Sequence, residues 1–154
     1  MHSILLHNIR STHNVGSIFR TADAAGISKI YLSGYTPRPI DRFGRPVKEL
    51  SKTALGGELS VQWESVEDPY ILIKSLKKDS VHIIGLEQAK NSVDYKTVSI
   101  KSETLFIVGN EVEGMEQKML TLCDVIAEIP MNGKKESLNV GVSLGIALFR
   151  ILNI

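Results

Sequence analysis

Three short polar stretches interrupt the apolar runs of this 154-residue chain, and each carries residue types able to hold or orient a reacting group. In LLHNIRSTHNVGSIFRTADAAG, Asn14 stands where a helix begins, a position at which asparagine is a favoured N-cap. Gly16 lets another backbone come close. Arg20 follows nearly two turns later, roughly 120° around the helix from Asn14. An arginine on a helix is commonly a surface residue whose stem covers core. Here its neighbours Ile18, Phe19, Ala22, Ala24 and Ala25 are apolar or small, and only Asp23 shares its charged character. That setting also fits an arginine that is paired or holds an anion such as phosphate.

The second stretch, LFIVGNEVEGM, is an apolar run ending at Gly109, followed by Asn110, Glu111, Glu113 and Gly114. Acids there suit a helix N-terminus through the dipole. Gly109 would let a flat ligand press on the backbone. GNEVEG lacks the spacing of a dinucleotide fingerprint and the lysine and hydroxyl of a phosphate loop. So acidic a loop repels a phosphate-rich ligand and tolerates a cationic one. In the third stretch, AEIPMNGKKESLNVGVSLGIALF, an apolar run ends at Ile129, Pro130 and Met131, and Ser137 and Asn139 open a long apolar helix. Ser137 suits an N-cap. Asn139 would then sit inside the first turn, where asparagine is a poor helix former, so the pair reads as a site as well as a cap. Gly141 and Gly145 cost about 1 kcal/mol each inside a helix, and their spacing predicts close packing of another helix or backbone.

These stretches need a frame. Strands are predicted at 4–7, 29–32, 60–64, 81–86, 104–108 and 125–129, and helices at 14–25, 48–55, 67–77, 113–122 and 137–152. Alternation of this kind predicts an α/β fold, a mostly parallel sheet with helices on both faces. The apolar runs LFIV and VHII fit strands buried on both sides. Ligands of such sheets bind beyond the carboxyl ends of the strands, where all three polar stretches lie. The last helix is apolar nearly all round, which predicts burial by two surfaces, its own sheet and a second subunit of a homodimer.

The length fits one domain spanning residues 1–154. No apolar run approaches the roughly 18–20 residues that cross a membrane, and the N-terminus has no secretory pattern. Cys123 is the lone cysteine, which suits a reducing compartment and makes the cytoplasm the expected location. His2, His7, His13 and His82 lack ligand spacing, so no metal is expected. A net charge of +1 argues nothing for nucleic acid by itself. Arg38, Arg42, Arg45 and Lys48, offset by Asp41, form a basic cluster in a proline- and glycine-rich loop, and Lys134 and Lys135 form a second. Each fits a solvated loop as well as a nucleic-acid contact.

Taken together, the three stretches resemble the three motifs of the SpoU/TrmH family of SPOUT-class RNA methyltransferases. Asn14, Gly16 and Arg20 match the first motif. Gly109, Glu111 and Gly114 match the second, and Ile129, Pro130, Ser137, Leu138 and Asn139 the third. Gly141 departs from the serine common there. The resemblance covers about residues 3–152. It implies a C-terminal trefoil knot, where the bottom-up rule expects none, a homodimer with the site near the interface, and transfer of a methyl group from S-adenosylmethionine to a ribose 2′-hydroxyl of tRNA or rRNA. The chain looks like the minimal catalytic domain.

On that resemblance, Arg20 holds the phosphate beside the target ribose and Glu111 pairs with Arg20. Asn14 binds ribose or phosphate, and Ser137 and Asn139 shape the transfer site. Backbone around Leu86, Gly109, Ile129, Met131, Ser137 and Leu138 holds the cofactor. RNA falls to the dimer surface and to Arg38, Arg42, Arg45 and Lys48. Two rivals remain: a non-catalytic RNA- or nucleotide-binding module on the same fold, and a doubly wound small-molecule enzyme. The latter predicts a glycine-rich first loop, which LLHNIRSTHN is not.

Overall fold

The structure, a computed structural model, describes residues 1–154. Its strands are β1 (His2–His7), β2 (Lys29–Ser33), β3 (Gln62–Val66), β4 (His82–Leu86), β5 (Val93–Asp94), β6 (Thr104–Val108) and β7 (Val125–Glu128). They pair in parallel in the order β3-β2-β1-β6-β4-β7-β5. The helices are α1 (Thr12–Ala24), α2 (Lys48–Ala54), α3 (Gly57–Ser60), α4 (Pro69–Lys78), α5 (Gln117–Leu120) and α6 (Val140–Leu152).

The two-residue period of the strands divides the core. Ile4, Leu6, Ile84, Phe106 and Val108 face a cluster completed by α1, α2 and α6. Leu5, Ile83, Leu105 and Ile107 face the other way, against Ile73 of α4 and Met115 and Met119. Every residue of β6 is buried, as its unbroken apolar run predicts for a sheet covered on both faces.

Close approaches fix the helices around β1. A Cβ at Gly16 would collide with the Thr53 hydroxyl and the Leu50 carbonyl, so α1 lies directly on α2. The Thr53 hydroxyl is 3.1 Å from the His13 carbonyl, to which it donates. Gly141 and Gly145 face α1 as expected, but at ordinary contact distance that does not itself require glycine. Cβ atoms there would be 3.7 Å from Ile18 Cγ1 and 3.4 Å from Thr21 Cγ2 of α1.

Several boundaries differ from the sequence expectation, each for a local reason. Helix α1 starts earlier because Ser11, not Asn14, is its N-cap and accepts from the Asn14 N–H at 3.2 Å. Helix α6 starts later because Asn139, not Ser137, caps it, accepting from the N–H groups of Gly141 (2.9 Å) and Val142 (3.3 Å). The helix expected at 113–122 shrinks to α5. Gly114 adopts φ +69°, and a turn from Asn110 occupies the preceding residues, so Glu113 lies in a loop and not at a helix end. The strand expected at 60–64 begins at Gln62 because Gly57–Ser60 forms a helical turn. The short edge strand β5 carries too little pattern to be seen in sequence.

Candidate active site

A cavity of ≈ 350 Å³ opens beyond the carboxyl ends of β4, β6 and β7. Three loops wall it: one after Leu86, one from Gly109 to Gly114, and one from Ile129 to Leu138. The loops are tied to each other. The Gln88 Nε2 donates to the Glu136 carbonyl at 2.8 Å, and the Glu87 carboxylate accepts from the Met115 N–H at 3.0 Å. A Cβ at Gly114 would run into that same carboxylate, and its positive φ is itself a glycine conformation.

The lining has an apolar floor, including Leu86, Val108, Ala127 and Val140, and five carboxylates, Glu87, Glu111, Glu113, Glu128 and Glu136. It contains no lysine, arginine or histidine. A cationic group with an apolar body therefore fits, and a polyphosphate does not. Leu86, Gly109, Ile129, Met131, Ser137 and Leu138 all line this cavity. One expected reason changes. A Cβ at Gly109 would come within 2.7 Å of the Gly114 carbonyl, so the packing of its own loop already requires glycine there.

Beside the cavity, three residues far apart in sequence join in one chain of hydrogen bonds. Asn139 Oδ1 accepts from the first backbone N–H groups of α6, so its Nδ2 is the donor, 2.9 Å from Asn14 Oδ1. That fixes the orientation of the second amide. Asn14 Nδ2 donates to Glu111 Oε1 at 3.1 Å. The Glu111 carboxylate also accepts from the Arg10 N–H (2.9 Å) and the Ser11 N–H (3.0 Å). Partial burial opposes ionisation of Glu111. Donation from Arg10, Ser11, its own N–H and Asn14 outweighs that, and its carboxyl titrates below the usual carboxylate range.

This arrangement overturns the expected pairing of Glu111 with Arg20. The acceptor positions of Glu111 are taken by backbone N–H groups and Asn14. Arg20 is exposed on α1, outside the cavity lining, and makes no ion pair or side-chain hydrogen bond within the chain. Arg38, Arg42 and Arg45, between β2 and α2, and Lys48, at the start of α2, are exposed and also lie outside the lining.

Asn110 is a structural centre that sequence reasoning passed over. The residue is 8% exposed, yet its side chain is fully satisfied. It accepts from Val112 and Glu113 at 2.8 Å each and donates to the Asn8 carbonyl (3.0 Å) and the Tyr35 hydroxyl (2.8 Å). Glu87 and Gln88 were missed too. Their signal was only their place just past a strand end.

Known proteins are similar to this chain in sequence and in fold. A tRNA (guanosine(18)-2′-O)-methyltransferase of Aquifex aeolicus is 30% identical over 146 residues, covering 95% of this chain and 66% of the relative. The 23S rRNA (guanosine-2′-O-)-methyltransferase RlmB of Neisseria meningitidis is 31% identical over 145 residues, covering 94% and 55%. The crystal structure of an AdoMet-bound rRNA methyltransferase from Sinorhizobium meliloti superposes with a TM-score of 0.88 at 29% identity, over 99% of this chain and 56% of that one. The chain thus spans between about half and two thirds of the length of these relatives. The model of the SpoU rRNA Methylase family matches residues 1–149. With nearly its whole length inside that match, the chain belongs to the SpoU rRNA methylase family.

Proposed function

We propose that this chain transfers a methyl group from S-adenosylmethionine to a ribose 2′-hydroxyl of tRNA or rRNA. The observation that carries it is the cavity lined by five carboxylates and no cation, beside the linked side chains of Asn139, Asn14 and Glu111. The named activities of the relatives and the AdoMet-bound neighbour support the same choice.

S-adenosylmethionine, when bound, supplies an electrophilic methyl group on a cationic sulfonium that departs as a neutral thioether. Because positive charge on sulfur vanishes during transfer, carboxylates that bound it more tightly would not speed the reaction. Their role is binding and selection, and rate comes from alignment of the attacking oxygen, worth several kcal/mol. Leu86, Gly109, Ile129, Met131, Ser137 and Leu138 hold the cofactor, and Ser137 and Asn139 shape the place of transfer. Glu111 is a weak base, since its charge is held by four donors, so it positions Asn14 and the loop before α1. Arg20 holds the phosphate next to the target ribose through its guanidinium N–H groups. The 2′-proton then leaves through that phosphate or water. Arg38, Arg42, Arg45 and Lys48 add contacts to the RNA backbone.

The acting unit is a homodimer. Val142 (52% exposed), Ile146 and Phe149 form an apolar stripe on α6, continued by Leu138. Gly141 and Gly145 lie against Ser17 and Thr21 of α1, so this stripe adjoins the exposed row that holds Arg20. Changing Ile146 to Glu puts a charge in the middle of the stripe. The expected outcome by size-exclusion chromatography with light scattering is a monomer, with methyl transfer lost. A wild-type monomer would sink the dimer.

We also place the knot of the family in the C-terminal part, where β7 enters between β4 and β5 and the 129–139 segment closes over the loop after β4. Threading should make refolding slower than the millisecond-to-second range of ordinary domains, and a full-amplitude millisecond phase would count against it. No helix is long and apolar enough to cross a membrane, and the cytoplasm, where tRNA and rRNA are modified, is the proposed location.

The decisive experiment incubates the protein with radiolabelled S-adenosylmethionine and separate pools of unmodified tRNA and rRNA, followed by alkaline digestion. Label in alkali-resistant dinucleotides establishes ribose methylation and names the RNA class. Absence of both label and cofactor binding by calorimetry would overturn the proposal.

A further inference from the structure

The segment between β2 and α2 is not a loose basic loop. Ile40 and Pro46 form an antiparallel bridge, the Asp41 N–H donates to the Arg45 carbonyl at 2.8 Å, and the Val47 N–H donates to the Pro39 carbonyl at 2.9 Å. The result is a short ribbon closed by a turn at Gly44, with φ +77°. The Asp41 carboxylate holds that turn from inside. It accepts from the Phe43 N–H (2.8 Å), the Arg45 N–H (3.0 Å) and the Arg45 Nε (2.9 Å). The one acid of the ribbon is therefore spent on its shape, and Arg38, Arg42 and Lys48 are left without an acidic partner.

At the tip stands Phe43, 66% exposed, in contact with neither core cluster. The guanidinium of Arg42 lies 4.7 Å from its ring centroid and that of Arg45 5.0 Å. Three flat groups, one aromatic and two cationic, are thus presented together to solvent by a braced turn. The core does not account for the place of this ring, which remains 66% exposed.

The root of the ribbon is fastened to the site. The Tyr35 hydroxyl accepts from Asn110 Nδ2, in the loop that walls the cavity, and the Thr36 hydroxyl accepts from the Ile9 N–H at 3.1 Å, just before α1. Whatever the tip holds is therefore held at a set distance from the cavity.

We propose that Arg42, Phe43 and Arg45 form a stacking platform for an unpaired base of the RNA substrate, close to the nucleotide that is methylated. Bases stack on aromatic rings and on guanidinium planes, and the free N–H groups of the two arginines reach the adjoining phosphates. Only an unpaired nucleotide offers a free base face, because a paired one is covered by its neighbours in the helix. The platform thus selects loops, bulges or ends over continuous duplex. This inference rests on the RNA methyltransferase proposal for its partner, and its test is separable from that proposal.

The test is fluorescence anisotropy of the whole chain with two labelled probes, an RNA hairpin with an unpaired loop and a fully paired duplex of the same stem, across a salt series. Phe43→Ala is expected to weaken hairpin binding by about tenfold, the scale of one lost base stack, and to leave duplex binding and the salt slope unchanged. Phe43→Trp should restore it. Arg42→Ala should weaken both probes and lower the salt slope by about one. S-adenosylmethionine binding, followed by calorimetry, should be the same in all variants. No loss in Phe43→Ala, equal loss on both probes, or no RNA binding by the wild type would overturn the platform. Failure to bind S-adenosylmethionine would instead strike the methyltransferase proposal and leave the platform standing.

Discussion

Arg20→Ala is expected to lower kcat for methyl transfer by roughly a thousandfold, the scale seen when a single charge-stabilising group is removed from a reaction centre. The melting temperature and the affinity for S-adenosylmethionine should barely move. The structure supplies the reason for that separation. Arg20 is exposed, makes no ion pair or side-chain hydrogen bond, and does not line the cavity, so neither the fold nor the cofactor depends on it. Removal of an unpaired surface side chain changes stability by about 0.5 kcal/mol or less. The guanidinium stands on the exposed row of α1 with Ser17 and Asp23, where an RNA phosphate can reach it. Arg20→Lys keeps the charge but loses the planar fork, and partial rescue would assign a bidentate phosphate contact. Full activity of the alanine variant would remove Arg20 from the mechanism. Joint loss of transfer and folding would make it structural.

Glu111→Ala is expected to act through structure as well as rate. It leaves the N–H groups of Arg10 and Ser11 and the Asn14 amide without their acceptor, and Asn139 then orients against a loose partner. Hydrogen bonds to a charged group contribute about 1.5–3 kcal/mol each, less where water can replace the acceptor, so a total loss of about 2 kcal/mol is expected at neutral pH. The pH dependence carries the signature. The folded-state pKa of Glu111 lies below the ordinary value, so its stabilising contribution is complete above about pH 4.5 and disappears as the pH falls through the depressed folded value. Denaturation midpoints of wild type and variant should therefore converge in acid. A difference that stays constant from neutral pH to well below the ordinary carboxylate range would show that the carboxylate charge is not what holds the loop. Glu111→Gln is a sharper probe, since its amide NH₂ must face either a backbone N–H or the Asn14 donor.

Much of the molecule was legible in its sequence because the signals are local. Strand β6 was read at its actual bounds, since TLFIV is apolar at both faces and only a doubly covered sheet uses such a run. Leu86, Gly109, Ile129, Met131, Ser137 and Leu138 were expected at the cofactor site through the family resemblance, and all six line the cavity at the one edge that strand ends of a parallel sheet share. Composition also exposed the apolar α6, whose outer stripe at Val142, Ile146 and Phe149 no part of the same chain covers.

Choice of partner was beyond the sequence. Ser11 and Asn14 are both competent caps, as are Ser137 and Asn139. Which one caps depends on where each helix begins once it is packed on the sheet, and there Ser11 caps α1 and Asn139 caps α6. Glu111 was expected beside Arg20, a pairing that charge alone favours. The fold instead brings to it two backbone N–H groups and Asn14, 97 residues away, and links Asn14 to Asn139 across 125 residues. The insertion of β6 between β1 and β4, and of β7 between β4 and β5, is what makes those meetings possible. Propensity and periodicity act between neighbours in the chain and so determined the elements and their buried faces. Hydrogen-bond partners are selected by which loops the assembled sheet places side by side, and only the tertiary structure decided that.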